Sequence, residues 1–163
     1  MTRREEILAF LDEQGVAYKL VEHPRADTME DIVAFGIPAH GEVAKNLFLR
    51  DSQKGRRHML VTVRGDAPVD LQKLGAALGE RLSFASEQRL ERLLNLKKGE
   101  VTPLGAYYDR EGKVEIFIDR ALVEAGTFGI HPCDNTATVF IAYEDLKKAL
   151  AACGHTVQVI DVK

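Results

Sequence analysis

Apolar residues recur along the chain at two periods, and the switches between those periods mark the elements. Ile7, Leu8 and Leu11 fall at helical spacing behind Thr2-Arg3-Arg4-Glu5, a capping-box pattern, and Gly15 follows as a left-handed terminator. Residues 16–21 read as a strand broken at His23-Pro24. Thr28 opens a second helix with Glu30 and Asp31 in its first turn, where the helix dipole favours acids, and Gly36 and Pro38 stop it. The clearest hairpin pairs residues 43–49 with 58–63 across the polar turn Ser52-Gln53-Lys54-Gly55. Asp70 caps a predicted helix running to Gly79, with Leu71, Leu74 and Leu78 on one side; Ser86 caps another, with Leu90, Leu93 and Leu94 facing inward. Residues 95–109 show no clean period, carry two glycines and a proline, and are expected to form a long loop. Residues 114–118 and 136–141 read as strands, 143–152 as a helix ended by Gly154, and 156–162 as a closing strand. Helices and strands interleave, yet neighbouring strands sometimes form hairpins. The expected class is α/β of the α+β type, a mixed sheet flanked by helices.

Composition narrows this further. The 163 residues, 45% hydrophobic and 29% charged, suit one globular domain over residues 1–163, with no repeat or low-complexity tract. No apolar run approaches the roughly 18–20 residues that span a bilayer. The N-terminus turns acidic at Glu5-Glu6 before any apolar stretch, unlike a signal peptide, so a cytoplasmic location is expected. Cys133 and Cys153 are too few for a disulfide scaffold. The net charge of −3 argues against a protein that coats nucleic acid, but the charge is uneven. Residues 45–64 hold six basic side chains against Asp51 alone, and residues 89–98 hold four against Glu91. That split fits either a local phosphate-binding footprint or a solvated hairpin and helix end.

Three segments carry candidate chemistry. Lys45 lies on the strand face of Val43, Leu47 and Leu49, where an ammonium needs a partner or a route to water, while Asn46 points to the opposite face. In Lys98-Gly99-Glu100-Val101-Thr102-Pro103-Leu104-Gly105, two glycines around Thr-Pro can aim backbone N–H groups at a ligand, as oxyanion sites do. In Gly129-Ile130-His131-Pro132-Cys133-Asp134-Asn135-Thr136, the histidine precedes a proline and is biased to an extended conformation. Each segment has a plain structural reading as well. No nucleophile elbow, P-loop, dinucleotide fingerprint or zinc-protease motif occurs, and the two cysteines lack zinc-site spacing. A Cys133 nucleophile served by His131 is disfavoured, because side chains two apart in extended backbone are not aimed at each other.

Taken in order, Val43-Ala44-Lys45-Asn46-Leu47-Phe48-Leu49, the Gly99-x-x-x-Pro103 loop, and Gly129-Ile130-His131-Pro132 continuing through Asp134-Asn135-Thr136-Ala137-Thr138-Val139 resemble the YbaK/prolyl-tRNA-synthetase-associated editing domains. The resemblance covers nearly the whole chain and is greatest to the freestanding branch that deacylates alanyl-tRNA(Pro). It implies a mixed α/β fold with a partly barrel-like central sheet. It assigns catalytic positions to Lys45, Gly99 and His131, and substrate contacts to Lys45, Asn46, Thr102, Pro103, Gly129 and His131. With no synthetase catalytic domain attached, a stand-alone protein is expected.

The implied reaction is hydrolysis of an aminoacyl ester on the terminal ribose of tRNA. It passes through an oxyanion, so placed donors matter more than a strong nucleophile. The backbone around Gly99 would supply them, Lys45 would hold the terminal nucleotide, and His131 would anchor the aminoacyl end. The resemblance implies that the tRNA's own ribose hydroxyl activates water, with no metal or organic cofactor. Arg50, Lys54, Arg56, Arg57 and Lys98 are the expected tRNA contacts. The expected partners are the acceptor end of mischarged tRNA and prolyl-tRNA synthetase, with neither membrane nor DNA involved. Two alternatives stand beside this reading: a deacylase for cysteinyl-tRNA(Pro) or another aminoacyl-tRNA, and a non-catalytic tRNA- or synthetase-binding module.

Overall fold

The computed structural model describes residues 1–162. Thr2 caps α1 (Arg3–Glu13) by accepting the Glu5 N–H, and Gly15 leaves it at φ +69°. The first strand, β1 (Tyr18–Glu22), begins two residues later than expected because Val16 packs into the core beneath the turn. Thr28 and Asp31 form a complete capping box on α2 (Met29–Ala34), and Gly36 and Pro38 lead into a 3₁₀ turn, Ile37–His40. The hairpin β2 (Ala44–Asp51) and β3 (His58–Arg64) pairs Lys45 with Val63 and Arg50 with His58. The Asp51 carboxylate closes its turn, accepting the backbone N–H groups of Lys54, Gly55, Arg56 and Arg57 at 2.7–2.9 Å. Those bonds, the Arg57 N–H first, hold its carboxyl well below the usual carboxylate range.

Asp70 and Ser86 cap α3 (Leu71–Leu78) and α4 (Glu87–Leu94), as their positions predict, with the short strand β4 (Leu82–Phe84) between them. The expected long loop over 95–109 holds a 3₁₀ turn, Pro103–Tyr108, capped by the buried Thr102 hydroxyl. The remaining elements are β5 (Val114–Asp119), α5 (Arg120–Ala125), β6 (Thr127–Ile130), β7 (Ala137–Ala142), α6 (Tyr143–Ala152) and β8 (Val157–Ile160).

The mixed α/β architecture is as expected, but the strands form two sheets and close no barrel among the described residues. The five-stranded sheet has the order β4-β2-β3-β5-β8, antiparallel from β4 to β3 and parallel from β3 to β8. The three-stranded sheet, β1-β7-β6, is antiparallel throughout. α5 carries the chain off the large sheet, and the β6–β7 hairpin takes β1 as its third strand. One bridge, Val43 to Gly129, joins the sheets, and the Gly129 N–H donates to the Glu42 carbonyl at 2.7 Å.

The largest apolar cluster includes Ile7, Phe48, Leu60, Leu94, Ile116, Val139 and Leu146. Leu47, Leu49, Val61 and Phe117 face the other way and pack with Leu74 and Leu78 of α3. A third cluster under α2 joins Ala26, Ile32, Ile37, Val43 and Phe140. It sits where the two sheets meet, and the cavity described next opens beside it.

Candidate functional site

The start of β2, the end of β6, α2 with the loop before it, and the turn at Gly99 surround a cavity of about 290 Å³. Lys45 is half-buried at its edge, and its Nζ donates to the Ala67 carbonyl. This answers the question raised by an ammonium on the face of Leu47 and Leu49: a carbonyl of the 65–70 segment satisfies it. Asn46 also lines the cavity, and its Oδ1 accepts the buried Thr62 hydroxyl at 2.7 Å. Gly129 lines it as well. A Cβ there would lie 2.8 Å from the side chains of both Phe140 and Thr138 on the paired strand β7, so glycine leaves room for those two side chains.

His131 faces the same space. Its Nδ1 lies 3.0 Å from the Ala137 carbonyl, which can only accept, so Nδ1 carries the proton and Nε2 is left as an acceptor. Burial lowers its pKa, and the Ala137 bond opposes that shift. The ring is therefore neutral near pH 7. Thr138, also on the wall, lies 2.9 Å from His23 Nε2, while His23 Nδ1 donates to the Pro24 carbonyl at 2.8 Å.

Gly99 stands at φ +87°, a conformation that disfavours a side chain. A Cβ added there would approach Asp27 Oδ1 to 2.8 Å and Asn135 Nδ2 to 3.4 Å. Within 99–105, the N–H groups of Glu100, Leu104 and Gly105 are already bonded to Lys97, the Thr102 hydroxyl and the Thr102 carbonyl. The N–H groups of Gly99 and Val101, two residues of the cavity wall, have no such partner among the described residues.

Two expected substrate contacts lie outside the cavity wall. Thr102 and Pro103 do not line the cavity: the Thr102 hydroxyl caps the 3₁₀ turn and Pro103 is buried at its first position.

The expected basic contacts divide. Lys98 is exposed beside Gly99. Arg50, Lys54, Arg56 and Arg57 lie at the other end of the β2–β3 hairpin, roughly 20 Å from Lys45 at about 3.3 Å per strand residue. Lys54 and Arg56 are exposed there. Arg50 donates to the Asp51 carbonyl, and Arg57 is committed to the fold, gripping Glu115 through two nitrogens at 2.6 and 3.0 Å and donating to the Leu78 carbonyl.

Cys133 is 1% exposed within the main core, and burial pushes its thiol pKa up, the reverse of an activated nucleophile. No three His, Cys, Asp or Glu side chains among the described residues are placed to hold a metal ion.

Sequence reasoning missed Asp27, Ile32 and Thr138 on the cavity wall. Asp27 and Ile32 flank a helix start and read as capping and core positions; Thr138 sits inside an apolar strand run. Nothing in their spacing joins 27 to 99 or 138 to 45.

A family model described as "Aminoacyl-tRNA editing domain" matches residues 23–149. The chain is 41% identical over 163 residues to the Prolyl-tRNA editing protein ProX of Acetoanaerobium sticklandii, covering 99% of each chain. It is 38% identical over 156 residues to Prolyl-tRNA synthetase associated domain-containing protein 1 of Danio rerio, covering 94% of this chain and 84% of that one. Among solved structures, the fold is similar to that of hypothetical protein APE2540, with a TM-score of 0.73, 18% identity, and coverage of 98% and 99% of the two chains. The cavity gathers Lys45, Asn46, Gly99, Gly129 and His131 from the three segments that carry the sequence resemblance, and the family match spans all of them. This chain belongs to the aminoacyl-tRNA editing domain family.

Proposed function

We propose that the protein is a trans-editing hydrolase of the cytoplasm, formed as one editing domain over residues 1–163, that deacylates alanyl-tRNA(Pro). The observation that carries this reading is convergence: Lys45, Gly99 and His131, widely separated in sequence, share one small cavity whose wall is apolar in part. The relatives, a prolyl-tRNA editing protein and a prolyl-tRNA synthetase associated domain-containing protein, support tRNA(Pro) as the substrate and prolyl-tRNA synthetase as a partner.

The aminoacyl ester enters beside Gly99, whose N–H, with that of Val101, stabilises the oxyanion as water attacks the carbonyl carbon. Lys45 leaves the Ala67 carbonyl for a phosphate or ribose oxygen of the terminal nucleotide and fixes the ester in place. Neutral His131 accepts a hydrogen bond at Nε2 from the aminoacyl end, and the adjacent ribose hydroxyl activates the water. Lys98 meets the single-stranded end, while Lys54 and Arg56, farther along the hairpin, meet the duplex phosphates.

The reaction is needed because a site built for proline rejects the smaller alanine by only about 1–3 kcal/mol. A second, smaller pocket reverses the discrimination by steric exclusion, since a close-packed wall does not yield to an oversized ring. Met29, Ile32, Val43 and Ile130 form such a wall. The test is to offer the purified protein alanyl-, cysteinyl-, seryl- and prolyl-tRNA(Pro). Alanyl-tRNA(Pro) should be hydrolysed far faster than the others. Comparable rates on alanyl and prolyl esters refute the sieve, preference for cysteinyl reassigns the substrate, and no hydrolysis of any ester leaves a binding module.

A further inference from the structure

Among the described residues, the cavity wall contains a single carboxylate, Asp27. Its placement is set by several bonds. The Asp27 N–H donates to Asp31 Oδ2 at 3.0 Å, so the α2 capping residue also fixes the loop that precedes the helix. Oδ1 accepts from Asn135 Nδ2 at 2.8 Å, and Asn135 is itself buried, its carbonyl accepting the Ala26 N–H at 2.9 Å. Arg25 Nε reaches both carboxylate oxygens at 3.0 and 3.1 Å, but the Arg25 side chain is 70% exposed and two residues away, a weak and replaceable partner. The Asp27 side chain is itself 46% exposed, and the Asn135 bond is what holds its Oδ1 against Gly99, close enough that any side chain at position 99 would displace it.

Resting on the reading of the cavity as an aminoacyl-ester site, we propose that Asp27 is the seat of the substrate's α-ammonium and makes the enzyme selective for free aminoacyl esters. The ammonium is one carbon from the carbonyl under attack. If the Gly99 N–H holds the oxyanion, the carboxylate touching Gly99 is the anionic group at the matching distance. A charge-assisted bond there orients the α-carbon and directs its side chain to the Ile32 wall, so ammonium recognition and side-chain size become one measurement. It also gives Gly99 a second reason to be glycine, since a Cβ would occupy the space between carboxylate and ester. The charged and titratable groups around this seat are Arg25 on the same loop, Asp31 at the α2 start, Lys98 beside Gly99, and Lys45 and neutral His131 on the cavity wall.

The test compares alanyl-tRNA(Pro) with lactyl-tRNA(Pro), in which a hydroxyl replaces the ammonium at nearly unchanged size, each rate divided by its uncatalysed rate. The native protein should prefer the alanyl ester by about 10- to 100-fold, and Asp27→Asn, which keeps an acceptor for Asn135, should reduce that preference to near unity. Arg25→Gln, which removes the competing guanidinium, should preserve or widen it. An unchanged alanyl preference in Asp27→Asn overturns the assignment while leaving the editing reading intact. Hydrolysis of neither ester by the native protein removes that reading and this one together. Should Asp27→Asn fail to fold, the pH profile of the native protein decides: the normalised preference should fall as the α-amino group loses its proton around pH 8, and a flat profile overturns the assignment.

Discussion

Replacing Lys45 with methionine separates its two roles. The side chain sits opposite Val63 on the antiparallel partner strand, so methionine keeps an apolar stem in the same place and removes only the ammonium. For stability, the lost interaction is one bond to the Ala67 carbonyl, and Ala67 is half-exposed, so water can take the position. The expected change is within about 1 kcal/mol, or at most about 4 °C in melting midpoint for a domain of this size. For activity, the ammonium's proposed partner is an anionic or polar oxygen of the terminal nucleotide. A hydrogen bond to a charged group contributes about 1.5–3 kcal/mol, so kcat/KM on alanyl-tRNA(Pro) should fall about 10- to 150-fold. The assays are single-turnover deacylation and thermal unfolding of the same preparation. A variant that retains kcat/KM within about twofold yet melts well below that window would make Lys45 a strut for the 65–70 segment and refute its catalytic placement.

Arg57→Ala should lower stability by about 1–2 kcal/mol in urea unfolding, through loss of the half-exposed Glu115 pair and the Leu78 bond, while leaving the salt dependence of tRNA binding unchanged. Arg56→Gln should do the reverse, reducing the slope of log K against log salt by about 0.9 if its duplex contact is real; an unchanged slope moves the footprint to residues 89–98. Cys133→Ala should retain turnover, and iodoacetamide should not inactivate the native protein, since its thiol is buried and its pKa raised; inactivation abolished by the alanine variant would restore a thiol mechanism. Burial depresses the pKa values of both His58 and His131 in the folded state. Their contribution is therefore complete above the unfolded value of about 6.5 and is lost as pH falls through the lower folded values. Urea unfolding should show stability dropping between pH 7 and pH 5, less steeply in His131→Gln; equal slopes would refute the assignment to His131.

Local chemistry was legible wherever one segment decides its own structure. Thr2, Thr28, Asp70 and Ser86 each cap the helix their position predicts, because an N-cap needs only a side-chain oxygen and the next three N–H groups. The hairpin was legible because alternating apolar residues and a polar turn fix its register. β4, α5 and β6 were missed for a different reason. They span three, six and four residues, too few for a period to show, and their existence depends on sheet edges supplied from elsewhere. Asp119 ends β5 and caps α5 at once, so no loop composition marks the boundary.

The site shows the same division more sharply. Lys45 stood out because a charge on an apolar strand face is locally anomalous, and a glycine near a Thr-Pro is a visible irregularity. Thr102 and Pro103 were drawn into the site for the same reason, yet their irregularity serves the 3₁₀ turn they begin. The local signal reports that something unusual happens to the backbone; it does not report which neighbour requires it. Gly99 illustrates the difference. Its positive φ would suffice as an explanation for any turn, but the approach of Asp27 and Asn135 adds a constraint from the other side of the cavity. Asp27 in turn reads locally as a residue before a cap, and it is the bonds of its loop to Thr136 and Asn135, more than a hundred residues away, that hold it opposite the Gly99 turn.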